Sequence, residues 1–329
     1  MISQSTEQFY FPRRIKWSPD GNQLLAASYN KKLSTLKKNS FEIIKEITLP
    51  GNVTDFCWYP MMTESLSASC AAAIICPNFP ISLIDTNDGH IRGNYPVRHE
   101  QTDSAASLTS VSFLGSSIIS GGTKRLFENQ IIRTGEKASI IWTCSGSILS
   151  ILPHSESAIL AIGTSLGQLS LLDSRNFESL FEAKYFDNGV DSLLWYNDKI
   201  VLSARLDPNI IGLDLRNPNI PSFFLKTIRT SSRKISLSSF SSFIGFGNEK
   251  EPASIYKCED SPTIISTMGN SSTPFIEFNP VDGTILTVSG GFVLKDDDNN
   301  DNNDNNDNNN IFPQYHPILT SMQQTPFQL

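Results

Sequence analysis

The chain has 329 residues, 39% of them hydrophobic and 18% charged, enough apolar content to bury a sizeable core. Its formal charge of −7 is concentrated: residues 296–310 hold six aspartates and no base, so the remainder stands at −1 and lacks the strong positive field of a general nucleic-acid binder. No run of about twenty apolar residues occurs, and Met1–Tyr10 lack the basic start and apolar core of a secretory signal, so an intracellular protein without a membrane span is expected.

Residues 1–8 read as a lead-in. Beyond them Trp17-Ser18-Pro19-Asp20-Gly21 forms a turn cassette of the residue types that favour tight turns. Blurred versions follow at Cys57-Trp58-Tyr59-Pro60, Ser112-Phe113-Leu114-Gly115, Leu152-Pro153-His154-Ser155 and Leu194-Trp195-Tyr196-Asn197-Asp198. Two more stand at Ser238-Ser239-Phe240-Ser241-Ser242 and Phe278-Asn279-Pro280-Val281-Asp282-Gly283. Measured at Pro19, Pro60, Leu114, Pro153, Asn197, Ser241 and Pro280, the steps are 41, 54, 39, 44, 44 and 39 residues. A period near forty built of short strands is the signature of propeller blades. Seven echoes predict one all-β domain over residues 9–294, a seven-bladed WD40-type β-propeller.

Each unit has the same internal order. An apolar strand enters the turn, and a second strand leaves it, ending in small residues such as Ala26-Ala27-Ser28. Crowding between strands near a propeller axis accounts for the small side chains. Third strands end at Leu83-Ile84-Asp85, Leu171-Leu172-Asp173 and Leu213-Asp214-Leu215-Arg216, in the place of the Trp-Asp dipeptide of this repeat class, with the tryptophan replaced. No long stretch has a 3.6-residue apolar period, so little helix is expected. The 54-residue step leaves Arg98–Ser107 as a loop between blades, and Glu7–Phe11 is the natural strand to clasp the ring shut.

Residues 295–310 form an Asp/Asn low-complexity tract with nothing apolar to bury, which predicts disorder. A calcium loop would need a glycine at its sixth position and a closing glutamate, and the tract has neither. Residues 311–329 read as a C-terminal tail, in which Ile311-Phe312-Pro313 offers a segment to pack back on the ring.

The cysteines at 57, 70, 76, 144 and 258 form no Cys-x-x-Cys pair and sit in apolar surroundings, as small buried hydrophobes do; neither zinc nor a disulfide framework is indicated. The histidines at 90, 99, 154 and 316 fall in no metal-ligand or triad spacing. No cofactor, metal site or catalytic residue is predicted, and the chain reads as a non-enzyme. Basic clusters stand at Arg13-Arg14-Lys16, Lys31-Lys32 with Lys37-Lys38, Lys124-Arg125, and Arg229 with Arg233-Lys234. Singly they read as solvated loop charge. Brought to one face they would give phosphate contacts, while stacking and base-edge contacts would select unpaired RNA. Arg205, directly after Leu202-Ser203-Ala204, emerges near the channel and reads either as a ring-locking donor or as a ligand contact.

Several segments together resemble the telomerase Cajal body WD-repeat protein family. They are Asp55-Phe56-Cys57-Trp58-Tyr59-Pro60-Met61-Met62, followed by Asn78-Phe79-Pro80-Ile81-Ser82-Leu83-Ile84-Asp85; Ser203-Ala204-Arg205-Leu206-Asp207 with Leu213-Asp214-Leu215-Arg216; Lys16–Gly21; and Val288-Ser289-Gly290-Gly291. Order and spacing agree over about residues 9–293, while the family's acidic, proline-rich N-terminal region is absent. The resemblance implies a nuclear, non-enzymatic scaffold that binds small Cajal-body guide RNAs and telomerase RNA alongside dyskerin-type ribonucleoproteins. It implies RNA contact at Arg205, with Lys124 and Arg125 beside it, and structural roles for Phe11 and Trp58. The alternative from the residues alone is a protein-only WD40 adaptor, such as a ubiquitin-ligase substrate receptor or assembly platform, binding through the propeller faces.

Overall fold

The computed structural model describes residues 12–99, 102–229, 234–258, 262–269, 272–294 and 315–326. The expected clasp with Phe11, the Asp/Asn tract and Arg233 lie outside the described residues. Regular structure here is antiparallel strand, apart from one 3₁₀ turn at Ser67–Ser69.

Among the described residues the strands form six sheets. The first runs Pro12–Trp17, Gln23–Ser28, Lys32–Lys37, Ile43–Thr48 in spatial order from axis to rim, and the second Asp55–Trp58, Ala71–Ile75, Ile81–Asp85, Ile91–Tyr95. The fourth begins at Val190–Tyr196, the fifth at Leu237–Phe240 and the sixth at Phe275–Phe278. Between them the third sheet has six strands and carries two of the sequence repeats. Seven blades were expected, and that count is corrected to six. Ser117–Gly122 pair with Leu108–Leu114, Thr123–Glu128 with Ser139–Ser147, and Ile148–Pro153 with Ile159–Thr164, all within two long strands, Ser117–Gln130 and Ser139–Pro153. Gly121, Gly122 and Gly146 carry no Cβ, so the backbone bends from one partner to the next without a loop to divide the ladder.

Second strands lie sandwiched between neighbouring sheets; all six residues of Gln23–Ser28 are buried, whereas the rim strand Ile43–Thr48 has none buried. The sandwiching also accounts for the small residues. A Cβ at Gly163 would collide with the carbonyl oxygen of Val190 on the next inner strand, and one at Gly121 with Ile148. The core is therefore laid down between sheets: Leu25 and Leu33 of the first sheet pack with Phe56 and Ile74 of the second. Burying each such side chain stabilises the ring by about 1.5–3 kcal/mol.

Two hydrogen-bond series stitch the inner strands together. Hydroxyls step around the axis: Thr109 donates to the Ile148 carbonyl, Ser150 to Val190 (3.0 Å), Ser192 to Ile235 (3.2 Å) and Ser236 to Ile276 (2.7 Å). Cassette tryptophans make the second series. The indole N–H of Trp58 donates to the Lys16 carbonyl at 3.2 Å, that of Trp195 to Pro153 at 3.0 Å, and that of Trp17 to Glu277 at 3.4 Å.

The Trp17–Glu277 bond closes the ring, because it joins the first cassette to the last. Gly21 sits at φ +70°, where a Cβ would strike the Asn279 amide, and that amide donates to the Gly21 carbonyl at 2.8 Å. Lys38 and Asp282 pair across the same seam at 2.6 Å. The sixth sheet is completed from the C-terminus. Residues 311–329 were expected to be a tail, yet Tyr315–Thr325 form a strand paired with Ile285–Leu294 over its whole length. Met322 is the reason visible in the packing: it is buried against Trp17, Leu24 and Phe275.

Candidate functional site

Strand alternation sends every second side chain of an inner strand to the axis. Two layers result. Arg14, Asp55 and Phe275 each stand five residues before their cassette proline, and Lys16, Cys57 and Glu277 each stand three before it. Of the first layer, Arg14 and Phe275 line a cavity of about 260 Å³ at the mouth of the channel, together with Arg13, Tyr29, Asp191, Arg205 and Lys234. The second layer lines a further cavity of about 110 Å³, which Arg14, Asp55 and Lys234 also reach.

The two aspartates here are committed. Asp55 pairs with Arg14 and accepts the backbone N–H groups of Phe56 (2.8 Å) and Val111 (3.2 Å), so one side chain ties three inner strands. Asp191 receives two bonds from Arg229, whose guanidinium also donates to Ser203 Oγ at 3.0 Å and to the Ala204 carbonyl. Arg205 Nε stands 3.7 Å from the same carboxylate.

Burial dominates the proton affinities. It lowers Arg14 to about 10, lowers Lys16, and takes Lys234 well below the usual lysine range, with neighbouring cations adding to the effect on both lysines. Glu277 is pushed up to about 7 by burial, against the pull of Lys16 and Arg14. Burial also pushes the Cys57 thiol up to about 12, which leaves it protonated and a poor nucleophile at neutral pH.

Arg205 is brought to the mouth, with its side chain 43% exposed. Lys124 is exposed at φ +60°, at the register irregularity between Thr123 and Arg125 within the strand Ser117–Gln130, and Arg125 lies in the ladder opposite Thr143; neither lines the axial cavities. Arg205 follows the second strand Lys199–Ala204, and Lys124 and Arg125 stand in Ser117–Gln130 just past Gly122, which pairs with Leu108 at the start of its inner strand. Second strands end opposite the start of the inner strand, as Ser28 does opposite Pro12 and Ala204 opposite Val190, so these residues share the mouth end of the ring. Trp58 is buried and hydrogen-bonded between sheets. Arg14, Lys16 and Lys234 were read from the sequence only as members of basic clusters, and Asp55, Asp191 and Glu277 were not singled out; the fixed offsets of Arg14, Asp55, Lys16 and Glu277 before their cassettes were the available signal.

Elsewhere, the third-strand aspartates build turns. Asp173 and Asp214 each accept the backbone N–H and Nε of the arginine two residues on, at 2.9 Å, and these bonds hold both carboxyls at about 2. Asp85, Asp88 and His90 lie close enough to share a cation, but Asp85 is already engaged by Arg92 and by the N–H of Asn87. Among the described residues no helix is long and apolar enough to cross a membrane.

Sheets arranged around an axial channel, each running from an inner strand to the rim, define the class: a β-propeller of WD40 type. Among solved structures, the Cps50 (Swd1) β-propeller domain of Myceliophteria thermophila superposes with a TM-score of 0.68 at 11% identity, over 87% of this chain and 95% of that one. A chain of a mitotic checkpoint complex superposes with a TM-score of 0.65 at 11% identity, over 88% of this chain and 92% of that one. At this identity the likeness is one of fold. No protein-family model matches the chain, and no curated protein matches it.

Proposed function

We propose that the protein is a non-enzymatic scaffold that docks partner macromolecules on the mouth end of its ring. The observation carrying this reading is the contrast between axis and loops. On the axis, the aspartates are consumed by structural pairs and the thiol is protonated. At the mouth end, the loops after the second strands expose Phe79, Leu166 and Leu206 at 41, 48 and 49%, with Arg205 beside Leu206. Apolar tips next to charge are the composition of a protein-docking rim. The checkpoint-complex neighbour, itself part of a protein assembly, is consistent with such a role.

A second reading is favoured by the cations on that same end, Arg13, Lys124 and Arg205. It is the RNA-particle scaffold implied by the resemblance to the telomerase Cajal body family: a nuclear protein holding guide RNA and telomerase RNA with dyskerin-type particles. Loop cations of this kind supply salt-dependent phosphate contacts.

Crosslinking the protein in its own cells, then sequencing the attached RNA and identifying the attached proteins, separates the two readings. Enriched box-type guide RNA supports the second, and protein partners over background RNA support the first. Arg205→Ala should weaken RNA recovery with little change in melting temperature; recovery equal to that of the parent chain would remove Arg205 from an RNA surface. If neither RNA nor protein exceeds background, the scaffold reading fails.

A further inference from the structure

The axial channel holds more positive charge than its own carboxylates answer. Arg14, Lys16, Arg205, Arg229 and Lys234 stand against Asp55, Asp191 and Glu277. Arg14 takes Asp55, and Arg229 takes both oxygens of Asp191. Among the described residues neither Lys16 nor Lys234 has a carboxylate within ion-pair distance. The Nε of Arg205 is shielded from solvent and makes no hydrogen bond, its nearest acid lying 3.7 Å off. Cations held together in partial burial repel one another and lose hydration, a cost that an anion between them reverses.

The space is of the matching kind. The mouth cavity of about 260 Å³ is open to the channel entrance and continuous in its lining, through Arg14, Lys234 and Phe275, with the deeper one. Drug-sized ligands occupy sites from about 300 Å³ upward, so this one suits something smaller. The donors around the two cavities are Arg14 and Lys16 of the first sheet, Arg205 from the turn after Lys199–Ala204 of the fourth, and Lys234 from the connection before the fifth; Lys16 reaches only the deeper cavity, Arg205 only the mouth, and Arg14 and Lys234 both. A flexible ammonium is a point donor and a guanidinium a fork, and both suit phosphate oxygens.

We propose that the axial channel is a binding site for a compact phosphate-type oxyanion, with Lys16 and Lys234 as its principal donors and Arg14 and Arg205 completing the positive field. The site is independent of whichever macromolecule docks on the rim. An anion seated there ties the first sheet to the fourth and to the connection that enters the fifth, and tightens the ring. Free anion and the phosphate of a larger molecule share this chemistry.

The test uses the full chain with inorganic phosphate, pyrophosphate and sodium chloride at matched ionic strength, read by thermal unfolding and titration calorimetry. Pyrophosphate is expected to bind with one-to-one stoichiometry and to raise the melting temperature above the chloride control. Removing both amines in Lys16→Ala/Lys234→Ala should weaken binding at least about tenfold per donor lost, while circular dichroism reports an unchanged fold. Where the double variant fails to fold, Lys234→Gln alone is held to the same criterion. Binding of phosphate but not pyrophosphate would also support the site and set its size. Stabilisation no greater than that of chloride, or equal pyrophosphate affinity in parent and variant, overturns the proposal.

Discussion

Arg229 grips both oxygens of Asp191, with Nη2 at 3.0 Å from Oδ2 and Nη1 at 3.3 Å from Oδ1, and the two side chains are 0% and 1% exposed. The pair anchors the connection that leaves the fourth sheet to the inner strand of that same sheet. Removing one member strands a buried charge, so Arg229→Met should cost about 3–5 kcal/mol. Pairing it with Asp191→Leu should recover much of that loss, because a well-packed apolar pair avoids desolvation altogether. Urea denaturation of the two singles and the double forms the cycle that measures it.

The stitches between inner strands should be individually small. Trp58→Phe keeps the buried ring but loses the donor to the Lys16 carbonyl, an expected loss of about 1 kcal/mol. Ser236 is a stricter case, since its hydroxyl both donates to the Ile276 carbonyl (2.7 Å) and accepts the Ile276 N–H (2.6 Å). Ser236→Ala leaves two buried backbone groups without this partner and should cost about 2 kcal/mol. Midpoints of chemical unfolding rank the two variants, and equal values would contradict the double role of Ser236.

Stability should fall as pH rises between about 4.5 and 7. The Glu277 carboxyl titrates near 7 in the folded chain against an ordinary value of 4.5, so across that window the folded state holds a proton the unfolded state has lost. Glu277→Gln should flatten this segment of the stability curve. Lys16 and Lys234 act in the opposite sense at higher pH: folded, they release protons earlier, so their penalty lifts as pH climbs toward 10.5. Denaturation midpoints taken across pH in parent and variant check both slopes.

Ending the chain after residue 314 should destabilise the ring itself. The truncation removes the strand Tyr315–Thr325 from the ladder of Ile285–Leu294 and empties the place of Met322, which is 3% exposed. Met322→Ala alone should cost about 2–5 kcal/mol. A truncated chain melting with the parent's midpoint would show that the sixth sheet does not need its third strand.

The strand-rich class and the positions of the turns were legible because they depend on local chemistry: Ser, Pro, Asp and Gly at Ser18–Gly21 and the small residues at Ala26–Ser28 act within a few residues of themselves. The correction from seven to six came where local chemistry is silent, since the cassettes at Leu114 and Pro153 repeat like the others and nothing near either shows that the long strands Ser117–Gln130 and Ser139–Pro153 pair with each other. The C-terminal strand was hidden for a related reason: Met322 has meaning only against Trp17 and Phe275.

Arg205 was legible as a residue emerging beside the channel, because a strand end announces itself in sequence. The axial charge cluster was not. Arg14, Asp55, Asp191, Lys234 and Glu277 are each an ordinary charged residue near an ordinary strand, separated by tens to hundreds of positions. Periodicity tells which way each side chain points along its own strand. Only closure of the ring brings these side chains onto one axis, where burial and mutual repulsion turn scattered charges into a site.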